Sequence, residues 1–393
     1  MRRIVVLGFV SPLHRDRLPT VGVDRVVSST DELRGLNISD AFVVALILSG
    51  GVSRLVREFA EDYGLRRLLL VSHPGLNSLA SALDARALLS EVGVDSGILH
   101  LDDLGHIDHA LRIARAIASI LGIRVALLGV GAKDSVARTF EDRFEARVDA
   151  IPMESLEDMI DNADEKLAAE FVNYIKGRVK FEVGDERLRD VGRIYAAMRG
   201  LYGKYDALAI NCFPYLVKHR VTPCLALARL NEEGLIAACE ADLRALFSMV
   251  VARELTGYSG WIANTNHIED SKVTMAHCTI ALNMVRDARV VTHFESGFNY
   301  GLTGSLLFND VTGGVSVSSD FRRMGIFSAR VVETGLLSDR MCRTQAILDL
   351  GTDSSVILRL APYNHHVIIP GNMVKELETI AGVLGMDVVK YTP

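Results

Sequence analysis

Two carboxylates mark the most informative point of the sequence. Glu240 and Asp242 stand where a predicted strand, Leu235–Cys239, meets a predicted helix, Asp242–Leu255. Open α/β sheets bind ligands at the carboxyl ends of their strands, so acids placed there can hold a metal ion or act as a base. Acids at a helix start can instead cap free N–H groups and complement the helix dipole. Asp242 suits the capping role, whereas Glu240 comes too early for it.

Further polar side chains stand at the ends of predicted strands in the second half of the chain. Asn264 lies in W-I-A-N-T-N and His277 ends V-T-M-A-H. A single histidine in such a place is commonly a hydrogen-bonded structural residue, but it is also a possible metal ligand. The other candidates are His293 and Glu295 in T-H-F-E-S-G, and Asn364, His365 and His366 before a strand. Vicinal histidines point to opposite faces of a strand, so at most one of them can reach a given metal.

Small polar residues also follow the apolar strands near the start of the chain. They include Gly50-Gly51 and the segment 72–78, S-H-P-G-L-N-S, each of which precedes a predicted helix. Helix N-termini of this kind bind anions or hydroxyl groups. The segment 129–134, G-V-G-A-K-D, is similar but lacks the full G-x-G-x-x-G spacing, so it gives little support for a nucleotide site.

Residues 1–150 alternate short apolar runs with segments of helix length. The predicted strands are Ile4–Val10, Ala41–Leu48, Arg67–Val71 and Arg124–Val130, and the predicted helices include Val52–Asp62, Ser78–Val92 and Ile107–Ile120. Strands that alternate with helices form parallel, doubly wound sheets, and fully apolar strands fit a sheet covered on both faces. We therefore predict a Rossmann-like α/β domain over residues 1–150.

The rest of the chain divides into two further predicted domains. Residues 151–290 continue the α/β alternation and carry the metal-site candidates, which predicts a second Rossmann-like domain. After residue 290, short β-rich segments alternate with turns such as Asn309-Asp310 and Pro370-Gly371. We predict an antiparallel, β-barrel-like domain over residues 291–393, closed by a final helix at Met373–Leu384.

The composition excludes several classes of partner and site. Apolar residues make up 49% of the chain and the net charge is −6, which indicates a folded protein without a basic surface for nucleic acid or an anionic membrane. The five cysteines show no C-x-x-C spacing, which argues against a zinc finger and favours small buried side chains. The apolar run after Met1 is too short for a signal peptide, and no stretch approaches the ~20 residues of a membrane helix. We therefore expect a cytoplasmic protein.

Several segments, taken in order, resemble the L-fucose isomerase family. They are CFPYLVKHRVTPCLALARLNEEG at 212–234, CEADL at 239–243, WIANTN at 261–266, MAHC at 275–278, THFESG at 292–297, CRTQ at 342–345 and NHHVIIPG at 364–371. They span most of residues 200–393, and GLNSLASALDARALLSEVG at 75–93 supports the similarity in the N-terminal domain. The chain looks like the small archaeal branch of that family, with L-arabinose isomerase as a more distant relative.

The resemblance implies a divalent metal site, usually occupied by Mn²⁺, for which Mg²⁺ and Co²⁺ are the alternatives. Glu240 matches a glutamate ligand, His277 a histidine ligand of the arabinose enzymes, and His365 the C-terminal histidine ligand. Asn264 stands where fucose isomerase carries a metal-binding aspartate, and its amide can neither act as a base nor supply charge. The family fold has two Rossmann-like domains and a C-terminal barrel, and it forms trimers or hexamers whose sites lie between subunits.

We therefore predict an aldose–ketose isomerase that acts on a small sugar through an enediol. Glu240 is the expected ligand and base, and Asn264 is an oxygen ligand or a hydrogen-bond donor to the substrate. His277 is either a fourth ligand or an outer contact of the metal site. The alternatives for the base are Asp242, Glu269, Asp270 and Glu295. The candidate substrate contacts are Lys218, His293, Glu295, Asn364 and His366, although Lys218 can equally belong to a solvated basic loop. The alternatives are a lyase or an epimerase on the same scaffold, and a non-catalytic sugar-binding protein, which the missing second acid suggests.

Overall fold

The computed structural model describes residues 1–17 and 22–392. The chain forms two compact units, of which the first comprises residues 1–121 and Lys375–Asp387. The second comprises residues 122–374 and the end of the chain from Val388. The division therefore falls at residues 121–122, whereas we predicted a boundary near residue 150. The segment that begins at Arg124 belongs to the second unit because it pairs with a strand about 80 residues later in the chain.

The first unit contains a parallel five-stranded sheet in the order β2-β1-β3-β4-β5. Its strands are β1 (Arg3–Phe9), β2 (Arg25–Val27), β3 (Ala41–Ile47), β4 (Arg67–Ser72) and β5 (Asp95–His100). Its helices are α1 (Ser53–Asp62), α2 (Ser78–Glu91) and α3 (Ile107–Ile120). The side chains of β3 from Phe42 onward are buried, as expected for a parallel strand covered on both faces. The predicted parallel sheet is confirmed.

The second unit contains another parallel sheet, in the order β10-β9-β6-β7. Its strands are β6 (Arg124–Leu128), β7 (Arg147–Ile151), β9 (Ala207–Ile210) and β10 (Ala237–Ala238), while β8 (Lys180–Phe181) pairs elsewhere. The helices of this region are α4 (Ser135–Phe144), α5 (Met153–Asp161), α6 (Glu165–Arg178), α7 (Leu188–Arg199), α8 (Cys212–His219), α9 (Cys224–Glu232) and α10 (Leu243–Thr256). This second parallel sheet also agrees with the prediction.

The C-terminal region of the second unit forms a closed, six-stranded antiparallel barrel. Its strands run in the order β15-β18-β11-β12-β17-β16, and β16 pairs with β15 to close it. They are β11 (Trp261–Glu269), β12 (Lys272–His277), β15 (Asp310–Val317), β16 (Arg323–Gly335), β17 (Thr344–Asp349) and β18 (His365–Pro370). The strands β13 (Val285–Thr292) and β14 (Asn299–Leu306) form a separate sheet with β8. The remaining elements are α11 (Val356–Leu360), α12 (Val374–Val383) and β19 (Asp387–Lys390).

The barrel begins earlier in the chain than we predicted. Its first strands, β11 and β12, precede residue 290 and were expected in an α/β domain. They join the barrel because β11 pairs with β18 and β12 pairs with β17, about 70–105 residues away in the chain. Pairings at such distances leave no local pattern in the sequence, so only the folded chain shows them.

Helix α10 connects the parallel sheet to the barrel and fixes where the polar residues at its N-terminus lie. Ten of its 14 residues are buried, including Phe247 and Val251. A helix that is apolar on every face must be enclosed by other elements. Here α10 packs against β9 and β10 on one side and against β15 and β18 of the barrel on another. The residues just before α10 therefore face the strand ends of both layers.

Candidate functional site

A sharp turn between β10 and α10 presents the Glu240 carboxylate. Glu240 and Ala241 both have left-handed backbone conformations, with φ of 56° and 52°. Such conformations are uncommon for residues other than glycine and cost free energy, so surrounding contacts must hold them. Here the Ala241 N–H donates to the Ile210 carbonyl at 2.8 Å, which ties the turn to the end of β9. The turn projects the carboxylate away from the helix start.

Asp242 performs two tasks with its two oxygens. Its Oδ1 accepts hydrogen bonds from the N–H groups of Arg244 and Ala245 at 2.9 and 3.3 Å, and so caps α10. Its Oδ2 lies 2.7 Å from Nδ1 of His365. Burial alone would raise the pKa of Asp242, but the hydrogen bond and charge of His365 and the charge of Arg244 outweigh it and lower that pKa. The cap predicted from the sequence is present, together with a contact that the sequence did not reveal.

The bond to Asp242 fixes the orientation of His365. A carboxylate only accepts hydrogen bonds, so Nδ1 of His365 is the donor, and in the neutral imidazole Nε2 then keeps a free lone pair. That Nε2 lies 3.6 Å from Oε2 of Glu240. The His365 side chain is 3% exposed, so its ring is held by surrounding protein. His365 therefore presents an oriented ring nitrogen that could bind a metal ion, with the Asp242 carboxylate on the other side of the ring.

His277 approaches the other oxygen of the same carboxylate. Its Nε2 lies 3.5 Å from Oε1 of Glu240, and its ring centroid is 5.8 Å from that of His365. Both ring nitrogens of His277 are buried and have no hydrogen-bond partner among the described residues. Leaving buried polar atoms unpaired costs about 1–3 kcal/mol each, so this ring is poised for a ligand.

Glu240 remains ionised between the two imidazoles. Burial acts to raise the pKa of Glu240, but the neighbouring His277 and His365 rings outweigh burial and lower that pKa below its usual value. Donor atoms 3.5–3.6 Å apart match the separation of about 3.4 Å expected for two ligands at about 2.1 Å from one tetrahedral cation. The two distances lead to different oxygens of Glu240. The donor atoms that all lie within 4.8 Å of one another are those of Cys239, Glu240 and His277, so His365 would have to move closer to share an ion with them.

Cys239 is a member of this group that the sequence did not single out. Its Sγ, a Glu240 carboxylate oxygen and a His277 ring nitrogen all lie within 4.8 Å of one another. The thiol also shares a hydrogen bond with Cys212, at an Sγ–Sγ distance of 3.3 Å. That bond and burial raise the pKa of the Cys239 thiol in the metal-free protein. We expected only a small buried side chain here; its position next to Glu240 in the chain was the available signal.

Arg244 and Tyr363 contact the Asp242–His365 pair, and the sequence analysis predicted a role for neither. The Arg244 guanidinium lies 3.4 Å from the centroid of the Tyr363 ring, and its Nε donates to Oδ1 of Asp242 at 3.1 Å. The Tyr363 ring in turn packs edge-on against the His365 ring at 5.6 Å. These contacts hold both the carboxylate and the imidazole of the Asp242–His365 pair.

Replacing Arg244 by lysine is expected to destabilise the protein by about 1–2 kcal/mol, because lysine keeps the charge but loses the Nε bond and the planar stacking on Tyr363. Urea unfolding of the metal-free protein would measure the change. Arg330→Lys is the matched control, since the Arg330 side chain is 71% exposed. Equal effects of the two substitutions would contradict the assigned role of Arg244.

Asn264 lies next to His365 on the neighbouring strand. The two residues are directly opposed in the β11–β18 pairing, so their side chains share a face of the barrel. The side-chain oxygen of Asn264 accepts a hydrogen bond from Nδ2 of Asn364 at 2.6 Å. An amide oxygen has two lone pairs, so one remains for a ligand. The structure thus places Asn264 and Asn364 at the border of the Glu240–His277–His365 group.

The other candidate substrate contacts have different surroundings. His366 is fully buried between Phe327 and Tyr391, and burial lowers its pKa to about 4. Lys218 bonds Glu157 at 2.7 Å on the surface. His293 follows β13, where its Nδ1 contacts Ser296, and Glu295 is exposed in the same loop. Their roles in substrate binding stay predictions.

The loops predicted to bind anions in the first unit are occupied by internal hydrogen bonds. The Ser78 hydroxyl accepts from the His73 N–H at 3.0 Å and donates to the Ile47 carbonyl. The His73 ring nitrogens contact the Leu48 carbonyl and the Gly75 N–H. These polar groups stabilise the turn between β4 and α2.

Comparison with known proteins gives a distant similarity to one kind of enzyme. No family model matches the chain. Over 199 residues, the chain is 24% identical to the sulfoquinovose isomerases of Priestia aryabhattai and Priestia megaterium, covering 47% of this chain and 44% of each relative. The sulfoquinovose isomerase of Alkalicoccus urumqiensis is 27% identical over 111 residues, or 26% of this chain and 25% of the relative. The chain thus matches less than half the length of these curated relatives. Among the described residues, no helix is both long and apolar enough to span a membrane.

Proposed function

We propose that this chain is a metal-dependent aldose–ketose isomerase whose site is built on Glu240, His277 and His365. One observation carries the proposal: the Glu240 carboxylate lies between two buried imidazoles, one of which has no hydrogen-bond partner among the described residues. The similarity to sulfoquinovose isomerases supports the reaction class. The similarity covers under half of the chain, so the sugar itself is left to experiment.

The donor set fits a divalent cation. One carboxylate and two imidazoles suit Mn²⁺, with Mg²⁺ and Co²⁺ as alternatives. Glu240, His277 and His365 would hold the ion, and Asn264 offers an amide oxygen beside them. The bond from His365 to Asp242 is the outer contact that usually orients a metal-binding histidine.

The chemistry divides between the ion and the protein. A divalent cation held by Glu240, His277 and His365 would polarise the sugar carbonyl. Glu240 stays ionised because the two histidines lower its pKa, so it can take the proton from C2 of the aldose and return it to C1. A hydroxyl proton moves from O2 to O1 in the same sequence, so no net proton is gained or lost. Asn264 cannot act as a base, and both oxygens of Asp242 are already hydrogen-bonded. Glu240 is therefore the single base in this proposal.

The test is removal and restoration of the metal. Protein stripped with a chelator should lose turnover of L-fucose, L-arabinose or sulfoquinovose, and Mn²⁺ should restore it. Product analysis by NMR in deuterated water separates the alternatives. An isomerase converts the aldose to a ketose that carries deuterium at C1, an epimerase gives an aldose that carries deuterium at C2, and a lyase breaks a carbon–carbon bond of the sugar. Full activity of the stripped protein would refute the metal dependence. Metal and sugar binding without any turnover would instead support a non-catalytic sugar-binding protein.

The proposal includes a homo-oligomer, either a trimer or a hexamer, as the resemblance to the L-fucose isomerase family implies. Light scattering of the purified chain at several concentrations would measure its mass in solution. A mass of 43.0 kDa, that of the single chain, would contradict this part of the proposal.

A further inference from the structure

The Cys239 sulfur lies inside the candidate site, next to two other atoms that can bind a metal ion. Its sulfur lies within 4.8 Å of both a Glu240 carboxylate oxygen and a His277 ring nitrogen. Cys239 itself is 4% exposed, so its sulfur is held in place by packing. Sulfur, oxygen and nitrogen donors this close together are what a transition-metal site needs.

His277 gives a second, independent indication of a ligand at this place. Its side chain is 4% exposed, and neither ring nitrogen has a hydrogen-bond partner among the residues that the structure describes. A ring nitrogen of His277 belongs to the same compact group as the Cys239 sulfur. A cation bound among the three would satisfy the imidazole, whereas the protein alone does not.

The geometry points to the Cys239 thiolate as a further ligand of the cation held by Glu240 and His277, which gives the centre a preference for thiolate-binding ions such as Co²⁺ or Zn²⁺ over Mg²⁺. The inference rests on the metal site of the proposed function but not on the isomerase reaction. On binding, a sulfur–metal bond forms, the S–H bond breaks, and the proton leaves to solvent.

Cys212 has a defined place in this arrangement. Its thiol lies 3.3 Å from the Cys239 sulfur and is buried at the start of α8. Once Cys239 binds a cation as the thiolate, the Cys212 S–H can donate to the bound sulfur. The hydroxyl of Cys212→Ser can donate in the same way, so this substitution keeps the contact and removes only the second sulfur. Cys212 therefore serves as a matched control for Cys239: both are buried cysteines, and only one is adjacent to Glu240.

Cobalt is the probe that reports on the sulfur directly. Chelator-treated full-length protein would be titrated with Co²⁺, and near-ultraviolet absorption would be recorded. We expect an intense thiolate-to-cobalt charge-transfer band in the unmodified protein and in Cys212→Ser. Cys239→Ser should still take up Co²⁺ but lose the band, and its preference for Zn²⁺ over Mg²⁺ should fall about tenfold or more. Cys239→Ala repeats the test without a hydroxyl that could replace the sulfur.

The outcomes separate this inference from the proposed function. Co²⁺ uptake without a charge-transfer band in the unmodified protein would overturn the role of Cys239 and leave the Glu240–His277–His365 site standing. A band that survives in Cys239→Ser, or disappears in Cys212→Ser alone, would overturn it as well. If no Co²⁺ binds, the metal site fails, and both proposals fall together. Thermal unfolding of each variant without metal checks that the substitution leaves the fold intact.

Discussion

Replacing Glu240 by glutamine is expected to reduce kcat by about 10²–10⁴-fold, the range that a positioned general base contributes. Glutamine matches the size of the side chain but cannot accept the C2 proton or supply a negative charge to a cation. Metal affinity should fall as well, because the carboxylate faces both imidazoles. Initial rates with the best sugar of the panel, together with a metal titration followed by calorimetry, would measure the two effects.

The fold should survive this substitution. The Glu240 side chain is 34% exposed at the mouth of the site, so the amide remains partly solvated and Tm should stay close to that of the unmodified protein. Glu269→Gln is the control, because Glu269 lies on β11 with a side chain that is 73% exposed. Unchanged kcat in Glu240→Gln would refute Glu240 as the base, whatever the effect on metal binding.

Replacing Asp242 by asparagine is expected to separate its two tasks. Asparagine caps helices about as well as aspartate, so the start of α10 should remain formed. The charge that faces Nδ1 of His365 is lost, however, and removing such an outer contact typically lowers metal affinity about 10–100-fold. Asp242→Ala should show the same loss of affinity together with a further cost of about 0.5–2 kcal/mol for the missing cap.

The measurements are a competitive metal titration for affinity and denaturant unfolding of the metal-free protein for stability. Equal stability of Asp242→Asn and Asp242→Ala would show that the cap contributes nothing. If both variants bind the metal as tightly as the unmodified protein does, His365 is oriented by other contacts, such as the Tyr363 ring at a centroid distance of 5.6 Å.

Asp242 should also make stability depend on pH. Its pKa is lowered in the folded protein, so the ionised carboxylate contributes stability above its unfolded pKa of about 3.9. That contribution is lost as the pH falls through the pKa of Asp242 in the folded protein, because the carboxylate binds a proton more tightly in the unfolded chain than in the folded one. Asp242→Asn should therefore flatten the acid side of the stability profile below about pH 4.

The sequence predicted the parts of the fold whose signals are local. Apolar runs such as Ala41–Leu48 became buried parallel strands, and the predicted helix Asp242–Leu255 appears as Leu243–Thr256. Such elements are recognisable because burial and helical periodicity repeat within a few residues.

Long-range pairing was beyond the reach of these signals. Strands β11 and β12 were assigned to an α/β domain, and Arg124–Val130 was assigned to the first sheet. Both segments pair with strands far along the chain. A strand shows its own faces in its sequence but not the identity of its neighbour. For the same reason, the separate sheet of β8, β13 and β14 was not anticipated.

The sequence alone determined which residue types were available for chemistry. Glu240, His277 and His365 were singled out because acids and histidines at strand ends are possible metal ligands, and Asp242 was recognised as a cap from its position. Only the tertiary structure showed that Asp242 also holds His365, and that Cys239 joins Glu240 and His277. Those contacts depend on how α10 packs between the parallel sheet and the barrel, which brings together residues over 100 positions apart. Residue identity sets what a side chain can do, but packing decides which other side chains it meets.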